Sequence, residues 1–416
     1  MKPYELVVIG GGFAGVSAAL AAARGGCSVL LVDKGNCLGG AAVNGLVNPF
    51  MRNQMRLGER TVELSAGIFE EIRQRLRERG AMRGSSFLEE ELKLVLGDMI
   101  TEAGVDLLFH AYLCGTEHRG GRLVAATFTT RGRNLTIGAD YFVDATGDAQ
   151  LAFLAGCPTV LGREPDHLCQ PMTLCFRLGN VDVERFFASR ERWTAAHKAV
   201  LESGALQNPR EDILVFQTPV PNVLHFNTTR VVRLDPTDPE DVTKAEVLAR
   251  QQVREIYDLL KQNADGLENS FLMMTASEIG VRESRMIVGD YRLTEQDCKA
   301  CRRFEDAIAV CNYDIDIHNP EGSGTSHYFF PAGEYYTIPY RCLIPQTLEN
   351  LLVTGRCISS DHGAQASYRI MPTVCCLGEA AGSAIALAAR DHTGVRAVDV
   401  TALQALLKQN GAFLGD

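Results

Sequence analysis

In the segment SSDHGAQASYRIMP, His362, Tyr368 and Arg369 stand close together near the end of the chain. Upstream lie Arg282, His318, Tyr340 and Arg341. An imidazole takes up a proton near neutral pH, and a guanidinium orients a polar or anionic group. A site that moves a hydride to or from carbon needs both: a group for the hydroxyl or Cα proton, and cations that hold the substrate. His362 and Arg369 are the first choices for these roles, with Arg341 and Arg282 beside them. Each has a structural alternative. Arg282 and Arg341 can serve as interdomain salt bridges, His318 can satisfy a turn, and a loop histidine such as His362 can be structural.

Side chains so far apart in sequence need a scaffold, and the N-terminus supplies its signature. YELVVIG is a short apolar run of strand type, GGFAGVSAALAAARGG is an Ala-rich helix closed by Gly25 and Gly26, and CSVLLVD is a second buried strand. Gly10, Gly12 and Gly15 fit G-x-G-x-x-G at the strand-to-helix junction, where glycines permit a tight turn, close pyrophosphate approach and close helix packing. Phe13 and Ala14 open the helix, whose N–H groups and dipole favour phosphate. Asp33 ends the second strand, where its carboxylate can accept ribose hydroxyls, and Lys34 follows it. Together these define a dinucleotide-binding βαβ unit.

The next stretch separates FAD from NAD. The acid is followed at once by KGNCLGGAAVNGLVNPF, a Gly-rich loop of flavoprotein type in place of a continued doubly wound sheet. The segments VVIGGGFAGVSAALAAARGG, LGGAAVNGLVNPFM, FVDATGDAQLAFLAG, IPYRCLIP and LLVTGRCISSDHGAQASYRIMPTVCCLGEAAG resemble the FAD-dependent oxidoreductases of glutathione-reductase type. The resemblance is in particular to the bacterial group related to the flavin subunit of heterodisulfide reductase. It implies that Gly10 to Gly15 hold the FAD pyrophosphate, Asp33 the adenosine ribose, and Leu113 the adenine through its backbone. Gly40, Ala41 and Asn44 then line the flavin side. Ala145, Thr146 and Gly147 close the nucleotide pocket, with Asp148 beside them. Gly355-Arg356 departs from the Gly-Asp that holds the ribityl chain in disulfide reductases, so Arg356 is expected to pair with phosphate or to form a surface salt bridge. The redox cysteines of those enzymes are also missing, because Ala42 and Val47 stand in their places. Electrons therefore have no dithiol relay in the loop. Pro372 and Thr373 open a C-terminal helix whose free N–H groups suit the charge that gathers on a reduced flavin ring.

The expected organisation is α/β: a Rossmann-like FAD-binding domain built from both chain ends, residues 1–164 and 336–416, with an inserted α+β substrate or cap domain over 165–335. Amphipathic helices are expected over 58–80 and 87–103, then a small antiparallel meander returning into YFVDATG. In the middle segment, DPTDPEDV introduces a long helix, with Asp238 as cap and Pro239 in its first turn. The Arg-rich EEIRQRLRERG is expected to be a solvated face with intrahelical ion pairs.

A chain of 416 residues with 46% hydrophobic and 22% charged side chains is long enough for a large core. Its net charge of −10 argues against nucleic acid as a partner, since phosphate-backbone binding rests on clustered lysine and arginine. No signal sequence or membrane span is read, and a cytoplasmic location is expected. The 13 cysteines form an odd, scattered set that points to reduced thiols. Helical spacing places Cys298 and Cys301 on one face, compatible with a redox or metal role, although packing is the favoured reading and no metal site is expected. The expected function is hydride transfer between noncovalent FAD and a small polar organic substrate at the domain interface. The second reading is a flavin subunit that passes electrons to an acceptor protein.

Overall fold

The computed structural model describes residues 4–57 and 60–415. Five strands run parallel in the order Asp106–Leu108, Val29–Val32, Tyr4–Ile9, the second half of Asn134–Asp144, and Leu351–Val353. Leu6, Val7 and Val8 are fully buried, as a strand covered on both faces requires. The strand Asn134–Asp144 has two roles. Its first half pairs antiparallel with Arg122–Thr129, which pairs in turn with Tyr112–Arg119, and its second half runs parallel to Tyr4–Ile9. The expected meander and the return into YFVDATG are therefore one continuous strand.

Helix Phe13–Arg24 packs on helix Met371–Asp391 with the two backbones almost touching. A Cβ on Gly378 would lie 2.0 Å from the Ala14 carbonyl oxygen, and one on Gly382 would lie 2.1 Å from that of Ala18. The Ser17 hydroxyl donates to the Cys375 carbonyl at 2.7 Å. Through these contacts the chain's end is fixed to its beginning, and the N-termini of both helices are held by one rigid seam. Met371–Asp391 is long and apolar enough to cross a membrane, and its apolar stretch is entirely buried inside the fold.

Glu379 lies in the middle of that helix, 2% exposed, and its Oε2 accepts the Ile68 N–H at 3.0 Å. Burial pushes its carboxyl up to about 7, against the pull of the Ile68 amide. The folded protein thus holds a proton that the unfolded chain releases more readily. This contribution to stability is complete below the ordinary carboxyl value and is lost as pH rises through about 7. Glu379→Gln is expected to leave thermal stability unchanged near pH 5 and to raise it near pH 8 by as much as ~3 kcal/mol. A stability-versus-pH curve parallel to that of wild type would contradict this.

A second apolar core gathers residues from Met172 to Ile279 together with Leu46 of the flavin-type loop. Its antiparallel sheet runs in the order Val215–Gln217, Leu224–Phe226, Phe176–Gly179, Phe271–Thr275, and helices Arg190–Glu202 and Pro239–Asn263 contribute to the same core. Asp238 caps the long helix as expected, accepting the N–H groups of Glu240 and Asp241. The middle segment does not keep a separate core as far as residue 335. Leu293, Ile308, Cys311 and Ile315 join the main core with the first helix. The apolar strand Ala307–Cys311 is fully buried against helix Met371–Asp391, which draws this stretch back early.

The helix expected over 58–80 is shorter, Ile68–Glu78. Residues 58 and 59 lie outside the described residues, and Gln54–Leu57 pairs with Arg60–Glu63 as a hairpin. The second expected helix spans Glu89–Glu102. The Arg-rich face carries the expected ion pairs, Arg73–Glu70 at 2.9 Å and Arg75–Glu71 at 3.1 Å.

Candidate active site

The glycine-rich turn forms a cradle. Gly10 has φ +105°, and a Cβ there would meet the Ala145 carbonyl oxygen at 2.4 Å; a Cβ on Gly15 would lie 1.7 Å from the Gly10 carbonyl oxygen. Strand, helix and the DATGD turn therefore meet backbone to backbone. Gly12 caps the first helix with no side-chain hydrogen bond and no acid in the first turn, so the N–H groups near Phe13 and Ala14 face no carboxylate of their own helix. A Cβ on Gly12 would meet only Gly40 Cα, at 3.9 Å, which leaves room for a close ligand. Asp33 accepts the amides of Gly11 and Gly35, each at 2.6 Å. Burial raises its carboxyl while those two amides pull it down.

The remaining nucleotide-side residues gather around this turn. The Ala111 amide donates to the Asp33 carbonyl, two residues before Leu113. Asp144 is fully buried and accepts the N–H and hydroxyl of Thr146, shaping the turn that carries Ala145, Gly147 and Asp148. Gly355, at φ +94°, faces Ala14. Arg356 donates to Asp148 at 2.7 Å, leaving its buried Nε without a partner. Lys34 pairs at the surface with Glu278 at 3.1 Å. An open helix N-terminus, an oriented acid at the second strand's end and an orphaned guanidinium nitrogen all fit a dinucleotide with a pyrophosphate.

Next to this cradle lies a cavity of about 470 Å³. The flavin-type loop contributes Ala41, Val47, Pro49 and Met51. This loop is stitched to the second core, because the Asn44 carbonyl accepts the Ser277 hydroxyl and the Glu278 amide. The second core's side of the cavity brings Thr173, Arg210, Leu214, Asn227 and Arg282. Two short strands, Ile315–His318 and Thr325–Tyr328, bring Asp316, His318 and His327. Arg369, Ile370 and Met371 complete it at the start of the long C-terminal helix, with Pro372 and Thr373 buried just behind.

The polar groups of this cavity are held in a fixed order. Arg282 donates to the Pro171 carbonyl at 2.7 Å and to the Thr173 hydroxyl. Burial and the neighbouring Arg369 bring its guanidinium down to about 9. Arg369 donates to the Asp316 carbonyl at 3.2 Å and to Gln170 Oε1 at 3.4 Å, and its side chain lies 3.7 Å from the Asp316 carboxylate. His318 Nδ1 accepts from Arg230 at 3.0 Å, so its Nε2 carries the proton toward Asp316, 3.4 Å away. Burial and Arg282 lower His318 to about 3, so it is neutral and its contact with Asp316 is a hydrogen bond, not an ion pair. Burial by itself would raise Asp316. His318 and the two guanidinium groups outweigh it and hold the carboxyl well below its ordinary range.

Of the expected catalytic residues, the cavity unites Arg282 and Arg369. His362 is elsewhere: its Nδ1 contacts buried Glu283 at 2.8 Å, at the opposite end of helix His362–Tyr368 from Arg369. Arg341 pairs with Asp306 at 2.9 Å on another surface, and the buried Tyr340 hydroxyl donates to the Val395 carbonyl. Arg210, Asp316 and the supporting glutamines Gln170 and Gln365 are not among the residues the sequence motifs single out. One signal was available, since strand alternation in YDIDIHN puts Asp316 and His318 on one face. Cys298 and Cys301 do not share a helical face. The helix ends at Lys299, Cys298 enters the main core, and Cys301 takes φ +49° beyond it. Among the described residues no cluster could hold a metal ion.

Fold and cradle together define a dinucleotide-binding protein. The sequence matches the FAD dependent oxidoreductase family over residues 5–407, and the chain belongs to that family. It is an enzyme that uses FAD. It is similar in fold to a geranylgeranyl bacteriochlorophyll reductase-like protein of Thermoplasma acidophilum, at 14% identity and TM-score 0.51, over 98% of this chain and 84% of that one. The flavin-dependent brominase Bmp2 matches at 12% identity and TM-score 0.46, over 99% and 84% of the two chains. The p-nitrophenol 4-monooxygenase PnpA of Pseudomonas putida DLL-E4 matches at 10% identity and TM-score 0.42, over 70% of each. No curated protein matches the sequence.

Proposed function

We propose that the protein transfers a hydride between noncovalently held FAD and a small polar organic substrate bound in the cavity between the two cores. The observation that carries this reading is the meeting, in one cavity, of flavin-type loop residues Ala41 and Val47 with the guanidinium groups of Arg282 and Arg369. Bound FAD supplies two-electron exchange as a hydride equivalent. The cradle from Gly10 to Gly15 and Asp33 would hold its pyrophosphate and ribose. Arg282 and Arg369 orient the substrate, and Asp316 accepts a hydrogen bond from it. Ala42 and Val47 offer no thiol, so no dithiol relay stands between the flavin and the substrate.

Anaerobic mixing of the yellow protein with hydroxy acids, sugars, amines and nicotinamide nucleotides, followed by flavin absorbance, tests this. Bleaching by a small organic molecule is expected. If none bleaches it while a copurifying redox protein does, the electron-carrier reading replaces this one.

A further inference from the structure

Charge pairing within the cavity narrows the substrate class. Arg356 is matched by Asp148 at 2.7 Å, Arg210 by Asp212 at 2.7 Å, and Arg230, behind His318, by Glu211 at 3.0 Å. That leaves Arg282 and Arg369 facing the single carboxylate of Asp316. Among the described residues Arg282 has no carboxylate at ion-pair distance, and the Nε of Arg369 is buried without a hydrogen-bond partner. A guanidinium withdrawn from water without an anion is costly, so this cavity is one negative charge short. Asp316 is 8% exposed, and its Oδ1 has no hydrogen-bond partner, so it is a buried acceptor awaiting a donor. The two needs are adjacent, since Arg369 and the Asp316 carboxylate are 3.7 Å apart.

Resting on the function proposed above, we infer that the substrate is a small 2-hydroxy carboxylate, or the matching 2-oxo acid in reverse, with its carboxylate on Arg282 and Arg369 and its hydroxyl donating to Asp316 Oδ1. Neighbouring carboxylate and hydroxyl groups satisfy the cationic pair and the lone acceptor at once. A 2-amino acid supplies a donor too, but its ammonium brings a positive charge that cancels the anion the cavity lacks. In the oxidative direction the C–H bond breaks and its electron pair leaves with the hydrogen as hydride to FAD. The O–H bond gives its proton to Asp316, whose proton affinity recovers once the substrate carboxylate neutralises Arg282 and Arg369, and the carbon–oxygen double bond of the 2-oxo acid forms. His327, 3.8 Å from Asp316 Oδ1 and 40% exposed, lies on the way from that carboxylate to solvent.

Calorimetric titration of the FAD-loaded protein with lactate, glycerate and 2-hydroxyglutarate tests the inference. The controls are propionate, alanine and the hydroxy-acid methyl esters. At least one hydroxy acid is expected to bind at least tenfold tighter than its ester and its deoxy or amino counterpart. Arg282→Ala is expected to weaken that binding at least tenfold at unchanged FAD content, with partial recovery in Arg282→Lys. Asp316→Asn is expected to lower the preference for the hydroxy acid over propionate at least tenfold, because both anions gain from the lost carboxylate charge while only the hydroxy acid loses its acceptor. Equal binding of ester and acid, no binding by any hydroxy acid, or an Arg282→Ala variant that binds like wild type would overturn the inference. The two readings fail separately. A sugar or amine that bleaches the flavin keeps hydride transfer and removes the carboxylate, whereas a hydroxy acid that binds as predicted without bleaching does the reverse.

Discussion

Gly15→Val is expected to leave the purified protein with less than a tenth of the wild-type FAD. A Cβ at this position would lie 1.7 Å from the Gly10 carbonyl oxygen and 3.1 Å from Ala145 Cβ. The first obstacle is backbone, which cannot swing aside as a side chain does. The helix must instead move off the strand, and the cradle with it. Such overpacking costs ~1–3 kcal/mol or more, so the melting temperature falls as well. Gly12→Ala separates the two effects, because Gly12 has φ −74° and open space around it. That variant is expected to keep wild-type stability yet hold FAD more weakly, since the methyl group lies where the phosphates approach. A Gly15→Val protein that remains stable and fully yellow would remove the first helix from the cofactor site.

Arg369→Ala is expected to retain bound flavin and to lower turnover at least tenfold, the ratio that ~1.4 kcal/mol of lost transition-state stabilisation gives. Arg369 lines the cavity beside Asp316, whereas the pyrophosphate cradle is built by Gly10, Gly12, Gly15 and Asp33. Arg369→Lys should recover little, because an ammonium cannot reproduce the two-pronged contact of a guanidinium with a carboxylate. Steady-state kinetics with FAD content measured on the same samples decides the matter. If Arg369→Ala loses flavin but regains normal turnover in excess FAD, Arg369 is a cofactor contact.

The nucleotide half of this site was legible because its signals are local. Gly10, Gly12, Gly15 and Asp33 stand at spacings fixed by one strand, one turn and one helix. The same holds for Pro372 and Asp238 at the starts of their helices. The substrate half was legible only in part. Arg369 and Arg282 stand out by their chemistry and position, yet what brings them together is a pair of buried glutamines: Gln365 donates to the Arg282 carbonyl and meets Gln170, which accepts from Arg369. No short-range pattern encodes such contacts. His362 stands apart from the cavity for a related reason. Nearness in sequence to Arg369 became distance in space, because an intervening seven-residue helix separates them by ~10 Å along its axis. Arg341 lies on a short 3₁₀ turn whose direction is set by Asp306, a partner the local sequence does not announce.

On the function proposed above, substrate meets flavin in the cavity lined by Arg282, Arg369 and Asp316. Leu214 lines that cavity between Ile213 and Val215 of the second core, and its carbonyl is held by the Asn227 amide and Thr228 hydroxyl, bonds that a side-chain change leaves intact. The most direct test is the rate of anaerobic flavin bleaching by the best reductant in Leu214→Trp, whose indole would fill the space. Flavin content equal to wild type and a bleaching rate reduced at least tenfold are expected, whereas wild-type bleaching in this variant would place the chemistry elsewhere.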